Sequence, residues 1–351
     1  MSKIIINGRF LSQRLTGVHR YAYEMTCALM RAGADILVVA PQNICESYKL
    51  VFPVKKIGLS SSHFWEQVVL PLYVKTQYKN SLLISFTGLG PIYYNNSFVT
   101  IHDMSFMANP KWFTFSYYYF YKLLTPIMAS HARKIITVSE FSKNEIIKYL
   151  NICNDKIIVI YNAVSEEMIG TKVENNELYI LAVSSLDPRK NLNRLVSAYS
   201  NLKNKDYKLY IVGTKHPSFR DGGSPKSVNE NIKFCGYVGG KDLSNLYANA
   251  QFSIYPSLYE GFGLPNLEAM INGCPVLTSN IKPHLEVCQD AALYFNPLSV
   301  EDITKTIDLA IENKDILSEI KTNSTVVLNR FSWDKSANKL IRFIEGESKI
   351  L

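Results

Sequence analysis

Short apolar runs alternate along the chain with longer segments whose apolar positions recur at helical spacing. The first run, residues 4–6, predicts a buried strand. A polar loop carrying Asn7, Gly8, Arg9, Thr16 and Gly17 follows, then a helical pattern over 21–30 that Gly33 stops, and a strand over 36–40. Strand, glycine-bearing loop, helix and strand make a βαβ unit. Further strands are predicted over 82–86, 98–101, 134–138 and 157–161, with a helix starting near Lys143 behind a cap at Ser139 or Ser142. Residues 165–176 are polar and unpatterned, which places a domain boundary there. Beyond it the series restarts with a strand over 179–183, a helix over 191–202 and a strand over 209–212. Shorter elements follow at 234–238, 242–247, 252–255, 276–278 and 300–311, and the tail over 331–344 is amphipathic. The expected fold class is α/β: two facing Rossmann-like doubly wound domains, residues 1–168 and 169–330, with an interdomain cleft. A C-terminal helix within 331–351 is expected to pack back across them.

Composition agrees with a globular protein of two domains: 351 residues, 47% hydrophobic and 19% charged. The formal charge of +8 is uneven, because residues 1–170 hold 17 Lys or Arg against 10 Asp or Glu. That asymmetry predicts an anionic partner for the first half, a phosphate-bearing substrate or an anionic membrane surface. Nucleic acid is not expected, since the charge forms no stripe and no known module is present. The six cysteines stand singly, without the paired spacing of a zinc or redox site, and predict buried thiols in a reducing compartment. No signal-like opening and no bilayer-length apolar run is present, so a cytoplasmic location is expected.

Candidate chemistry gathers where predicted strands end, as ligands do on open parallel sheets. The richest stretch runs over 254–275. Its loop holds Glu260, Gly261, Phe262, Gly263 and Leu264, and Pro265 then opens a helix. Proline has no N–H to leave unpaired in a first turn. The remaining N–H groups of that turn and of the glycine loop form a site for an anionic oxygen. Glu260 and Glu268 either grip sugar hydroxyls beside a phosphate, or are a solvated loop charge and a helix-dipole partner. Arg189 and Lys190, just before a helix, suit a diphosphate, although basic pairs are also common on surfaces. Gly17 either lets the chain pass close to a phosphate or is a turn glycine; the three-glycine dinucleotide fingerprint is missing. His102, at a strand end next to Asp103, can donate to a sugar hydroxyl as a neutral imidazole, or be a satisfied turn histidine. Residues 111–124, aromatic on nearly every side and framed by lysines, have helix length. They predict either an interfacial helix on a membrane or a helix packed between layers or lining an acceptor cleft.

Glu260-Gly261-Phe262-Gly263-Leu264-Pro265-Asn266-Leu267-Glu268, together with Pro188-Arg189-Lys190-Asn191, His102-Asp103 and Gly17 in this order, resembles family four of the retaining glycosyltransferases. The resemblance covers essentially the whole chain and implies the GT-B architecture, with an acceptor-binding first domain and a donor-binding second one. Asn7 through Tyr21 resembles bacterial enzymes of O-antigen and other surface polysaccharides, mannosyl- and rhamnosyltransferases among them. The resemblance implies catalytic roles for His102, Arg189, Lys190 and Glu260. It places Gly17, Ser185, Gly236, Tyr237, Val238, Gly261, Phe262, Gly263, Leu264 and Glu268 on the nucleotide sugar, with Glu268 at the ribose and the backbone of 236–238 at the base. Arg20, Asp103, Ser139 and Asn162 fall on the acceptor side.

The implied reaction moves a hexose, mannose favoured and rhamnose or glucose as alternatives, from GDP-mannose, dTDP-rhamnose or a UDP-hexose. The acceptor is a hydroxyl of a lipid-linked oligosaccharide or growing surface glycan at the inner face of the bacterial membrane. No metal or other cofactor is expected. Two positions depart from the family pattern. Ser184-Ser185 stands where Gly-Arg is frequent, so Arg189 has to replace that charge. Asn162-Ala163-Val164-Ser165 stands where Asn-Gly-Val-Asp is usual. Competing expectations are a nucleotide-sugar epimerase or hydrolase, and a catalytically silent sugar-nucleotide or glycan-binding protein.

Overall fold

Strands that are apolar on both faces pair in parallel and are covered by helices on both sides. In the structure, a computed structural model describing residues 3–59, 61–173, 177–215, 217–220 and 230–348, two such sheets form. The first contains β1 (Ile4–Asn7), β2 (Ile36–Ala40), β3 (Val54–Lys56), β4 (Leu83–Ser85), β5 (Ser97–Thr100), β6 (Lys134–Thr137) and β7 (Ile157–Val159). Its spatial order is β3-β2-β1-β4-β5-β6-β7. Helices α1 (Gly17–Arg31), α2 (Leu70–Gln77), α3 (Ser105–Ala108), α4 (Phe115–His131) and α5 (Glu140–Leu150) lie in its connections.

The second sheet contains β8 (Tyr179–Val183), β9 (Lys208–Val212), β10 (Ile232–Gly236), β11 (Phe252–Tyr255), β12 (Val276–Ser279) and β13 (Leu293–Phe295), ordered β10-β9-β8-β11-β12-β13. With it go α6 (Leu192–Ser200), α7 (Gly240–Asn249), α8 (Leu264–Ile271), α9 (Lys282–Cys288), α10 (Val300–Glu312) and α11 (Lys314–Leu328), before α12 (Trp333–Ser348). The described strand pairs are parallel, as in Ile5↔Leu83 and Ser253↔Leu181. Strand order reverses between β1 and β4 in one sheet and between β8 and β11 in the other. These switch points are where ligand sites form in such sheets.

The chain divides into two compact units. One takes residues up to Met104, Tyr119–Asn162 and the chain from Trp333; the other takes Ser105–Tyr118 and Ala163–Ser332. The second unit is built on Ile180, Leu195, Leu209, Ile254, Leu277 and Ile303. Trp65, with Ile5, Val39, Val74 and Leu83, packs one side of the first. Helix α12 belongs to the first unit. Trp333 meets the Tyr21 ring edge at 5.8 Å, Asp334 pairs with Arg31 at 2.8 Å, and Ser336 Oγ donates to the Tyr161 carbonyl at 2.8 Å.

Three predicted boundaries move. Helix α1 begins at Gly17, a turn before its apolar pattern starts. Helix α5 begins at Glu140 because Ser139, rather than Ser142, is the cap: its Oγ accepts from the Ser142 N–H at 2.9 Å. Residues 111–124 are not one helix. A single turn, Pro110–Trp112, is followed by extended Phe113, which bridges to Phe219 with ring centroids 4.8 Å apart, and α4 starts only at Phe115. The Gly/Pro/Ser-rich loop predicted over 215–229 lies largely outside the described residues.

A polar network sits at the first switch point. Asn7, ending β1, donates to Ser85 Oγ at 3.1 Å and to Glu66 Oε1 at 2.8 Å, and Arg9 Nη1 donates to Glu66 Oε2 at 2.9 Å. Glu66 is fully buried on a wide, five-residue π-type turn, Trp65–Val69. Removing one partner of a buried ion pair leaves the other uncompensated. Glu66→Ala is therefore expected to lower stability by about 3–5 kcal/mol in denaturant unfolding. An unchanged midpoint would mean the pair is dispensable.

Candidate active site

Loops leaving β8 and β11 flank the second switch point, and each is shaped by short-range capping. After β8, Asp187 caps the single turn Pro188–Lys190, accepting from the Arg189 N–H at 3.0 Å and from Ser185 Oγ at 2.6 Å. Asn191 follows in the left-handed region at φ 60°, which asparagine tolerates better than most residues. Its Nδ2 donates to the carbonyls of Pro256 (2.9 Å) and Pro297 (2.8 Å), tying together the loops after β8, β11 and β13. This sharp reversal turns Arg189 and Lys190 inward, and both are buried.

They meet Glu260. Lys190 Nζ lies 2.5 Å from Oε1 and Arg189 Nη1 lies 3.3 Å from Oε2, while Ser257 Oγ donates to Oε1 at 2.7 Å. Arg189 also donates to the Tyr259 carbonyl at 3.3 Å and sits 5.7 Å over the Phe219 ring. Burial by itself would raise the Glu260 pKa, but Lys190 and then Arg189 outweigh it and hold the carboxyl at about 2. The basic pair is thus neither solvated nor superficial. Its carboxylate partner stays an anion down to about pH 2.

Gly263 caps α8 at φ 94°, and a Cβ there would fall 2.8 Å from the His284 ring, so backbone conformation and space both demand glycine. Pro265 takes the second helical position rather than the first, which places Glu268 fifth, beyond the first turn. A helix-dipole role fades at that distance. Tyr247 OH donates to Glu268 Oε2 at 3.2 Å, and Tyr255 OH in turn donates to Tyr247 at 3.0 Å. On the far side, Gly236 ends β10 in the left-handed region at φ 66°, and Tyr237 is 67% exposed. His284, on α9, is buried with Nδ1 2.7 Å from Thr278 Oγ1, and burial depresses its pKa to about 4. Lys190, Ser257, Glu260, Gly263, Asn266 and His284 line a small cavity.

Arg189, Lys190, Ser185, Glu260, Glu268 and the 261–264 loop all lie in the second unit. Gly17, Arg20, His102, Asp103, Ser139 and Asn162 belong to the first. His102 follows β5, edge-on to Tyr21 at 5.0 Å, and burial lowers its pKa. Its Nε2 is 2.9 Å from the Phe86 carbonyl, so Nε2 carries the proton. The Nε2 proton is thus engaged by Phe86, and Nδ1 is an acceptor. Gly17 opens α1 with nothing near the place a Cβ would take, so packing does not demand glycine there. Ser139 is buried and holds its cap, and Asn162 is buried with no hydrogen-bond partner for Oδ1 among the described residues. Sequence reasoning missed Asp187, Tyr247, Asn266 and His284. For Asp187 a signal existed, since Asp before Pro is a capping pattern.

The depressed pKa values of His284 and Glu260 contribute to an acid profile. His284, neutral in the folded state, opposes protonation, so its penalty develops as pH falls from 6.5 to about 4. Glu260 stabilises the fold above its ordinary 4.5, and that contribution is lost as pH falls through about 2. Each step corresponds to about 3 kcal/mol. In denaturant titrations, His284→Gln is expected to shrink the step below pH 6.5, to which buried His102 also contributes, and to keep the loss nearer pH 2. A wild-type stability flat between pH 6.5 and 4 would contradict this reading.

Residues 93–167 match the Glycosyltransferase Family 4 model, and residues 164–327 match Glycosyl transferases group 1. O-antigen chain mannosyltransferase B of Escherichia coli is 30% identical over 275 residues, 72% of this chain and 72% of its own length. O-antigen chain mannosyltransferase RfbU of Salmonella typhimurium is 30% identical over 357 residues, 94% of this chain and 96% of its own. Among solved structures, Anabaena HepE in complex with UDP and glucose superposes with a TM-score of 0.75 at 16% identity, covering 98% of this chain and 99% of that one. WaaG, a glycosyltransferase involved in lipopolysaccharide biosynthesis, gives 0.74 at 15%, covering 98% and 100%. With two parallel-sheet α/β domains of the GT-B kind and these relatives, the chain belongs to the group 1 and family 4 glycosyltransferases.

Proposed function

We propose that this glycosyltransferase moves a hexose, mannose in the first instance, from a nucleoside diphosphate sugar to a hydroxyl of a lipid-linked or growing surface glycan, with retention at the anomeric carbon. One observation carries the reading: a buried Arg189–Lys190 pair fixed on Glu260 at the second switch point, beside the glycine loop. The names of the relatives favour mannose, and the UDP and glucose of HepE favour a nucleotide donor.

In this reading, charge growing on the leaving diphosphate is met by Arg189, Lys190 and N–H groups of the 261–264 loop. These groups are set before reaction and need no reorganisation. Glu260, kept anionic, accepts from donor-sugar hydroxyls. Glu268, oriented by Tyr247, accepts from the ribose, and the turn at Gly236, Tyr237 and Val238 receives the base, with Ser185 near the phosphates. The leaving phosphate oxygen takes the acceptor's proton as the new glycosidic bond forms on the same face. In the first unit, Arg20, Asp103, Ser139 and Asn162 serve the acceptor. Lys190→Ala is expected to lower kcat about a hundredfold, equivalent to about 3 kcal/mol of transition-state stabilisation. NMR of the product with a synthetic glycan acceptor is expected to show the donor's anomeric configuration retained. Donor hydrolysis or epimerisation without acceptor product would overturn transfer.

The first unit also supports peripheral contact with an anionic membrane. Phe64 (63% exposed), Val68 and Leu72 (57%) recur at helical spacing, and His63 packs on Phe120, next to exposed Tyr119 and Leu123 (65%) of α4. Lys75 and Lys122 are exposed on the same segments. Aromatic and aliphatic tips beside lysines suit the headgroup boundary. Among the described residues no helix is long and apolar enough to cross a membrane. Sedimentation with anionic liposomes at low salt is expected to retain wild type and to lose a Phe64→Ser/Leu123→Ser variant. Equal recovery of both would dismiss the contact.

A further inference from the structure

One wall of the Glu260 cavity carries polar groups that the reaction as proposed leaves unused. Asn266, third residue of α8, is 1% exposed, and neither its Oδ1 nor its Nδ2 has a nitrogen or oxygen partner among the described residues; the buried Cys288 thiol stands beside it. Buried carboxamides are nearly always hydrogen-bonded, and a thiol is a weak partner that leaves most of the desolvation penalty in place. Packing does not explain it either, since leucine is nearly isosteric and would carry no such penalty.

His284 shares that wall. The Thr278 hydroxyl lies 2.7 Å from Nδ1 and 3.4 Å from the Tyr255 carbonyl, to which it donates. Nδ1 therefore carries the imidazole proton, and Nε2 is an acceptor. A Cβ on Gly263 would lie 3.0 Å from this Nε2 and 3.0 Å from Asn266 Nδ2 alike. The two groups thus converge under one glycine, in the cavity that Glu260 and Lys190 also line. An amide that both donates and accepts, next to an imidazole that accepts, suits a hydroxyl group, which has one hydrogen to give and lone pairs to offer.

We propose that Asn266, with His284 beside it, reads a hydroxyl of the donor hexose and so helps decide which hexose is transferred. This rests on the reading that Glu260 lies at the donor sugar. A site built to hydrogen-bond a hydroxyl discriminates strongly against a donor lacking it, because its own polar groups are then left unpaired.

A cycle between side chain and substrate tests this. Transfer would be measured for wild type, Asn266→Ala and Asn266→Ser with GDP-mannose and its 2-, 3-, 4- and 6-deoxy analogues, reading kcat/KM, with GDP affinity and the melting temperature in parallel. On the full donor, Asn266→Ala is expected to lose at least about tenfold in kcat/KM. On one deoxy donor that loss should vanish, while GDP affinity stays within about twofold. A loss equal on all five donors, or none, would overturn the assignment and leave Asn266 a structural residue. Asn266→Ser keeps a short polar side chain, so the cycle can be closed if the alanine variant does not fold. A wild type that binds GDP but transfers no hexose would instead remove the underlying donor-site reading, and this proposal with it.

Discussion

A carboxylate taken out of water stays charged only if cations are already fixed beside it, and the second unit is arranged around that requirement at Glu260. Burial alone would make the group a neutral acid. Lys190 and Arg189 keep it an anion because the left-handed turn at Asn191 leaves them nowhere else to point, and because Asn191 anchors that turn to two carbonyls from neighbouring loops. Glu260 is held from its own side by Ser257 and by the loop that ends at Gly263. Cations, anion and glycine loop are therefore one unit of structure. None of them could take its place without the others.

The first unit solves the same problem at the equivalent place. Between β1 and β4, Glu66 is buried and matched by Arg9, with Asn7 and Ser85 completing the hydrogen bonds. At a switch point two neighbouring loops diverge to opposite faces of the sheet and leave a gap above the strand ends. Apolar side chains would close that gap permanently. A paired charge fills it while keeping it polar. In the second unit the filled gap borders a cavity with further polar lining, and the proposed donor site lies there.

Strand positions were legible because the runs are short, apolar and bounded by polar loops, and a parallel sheet tolerates little else. Helix starts were less so: α1 opens at Gly17 without a side-chain cap, and the first turn of α5 is set by Ser139, whose side chain carries no periodicity. The 111–124 stretch misled because aromatic density says nothing about direction, and pairing of Phe113 with Phe219 is a contact over a hundred residues away. In the site, Glu260, Arg189 and Lys190 were visible as a motif. Asp187 and the Tyr255–Tyr247–Glu268 relay were not, since each orients another group and leaves no spacing of its own, and His284 was not, since it reaches the cavity from α9, outside the motif. Gly17 and Gly263 read alike in sequence; only the second is required by its backbone angle and its neighbour.

The assignment of α12 to the first unit has a consequence for how the protein is made. Trp333, Asp334 and Ser336 complete surfaces on α1 and on the strand-end segment at Tyr161, yet they leave the ribosome after every residue of the second unit. Translation at about 5–20 residues per second delays them by on the order of ten seconds or more behind the strands they cover. The second unit, whose main stretch is contiguous, can close on itself in that interval. The first must wait with Tyr21 uncovered. Order of synthesis and order of folding therefore run in opposite directions in this molecule, and the half that is born first is finished last.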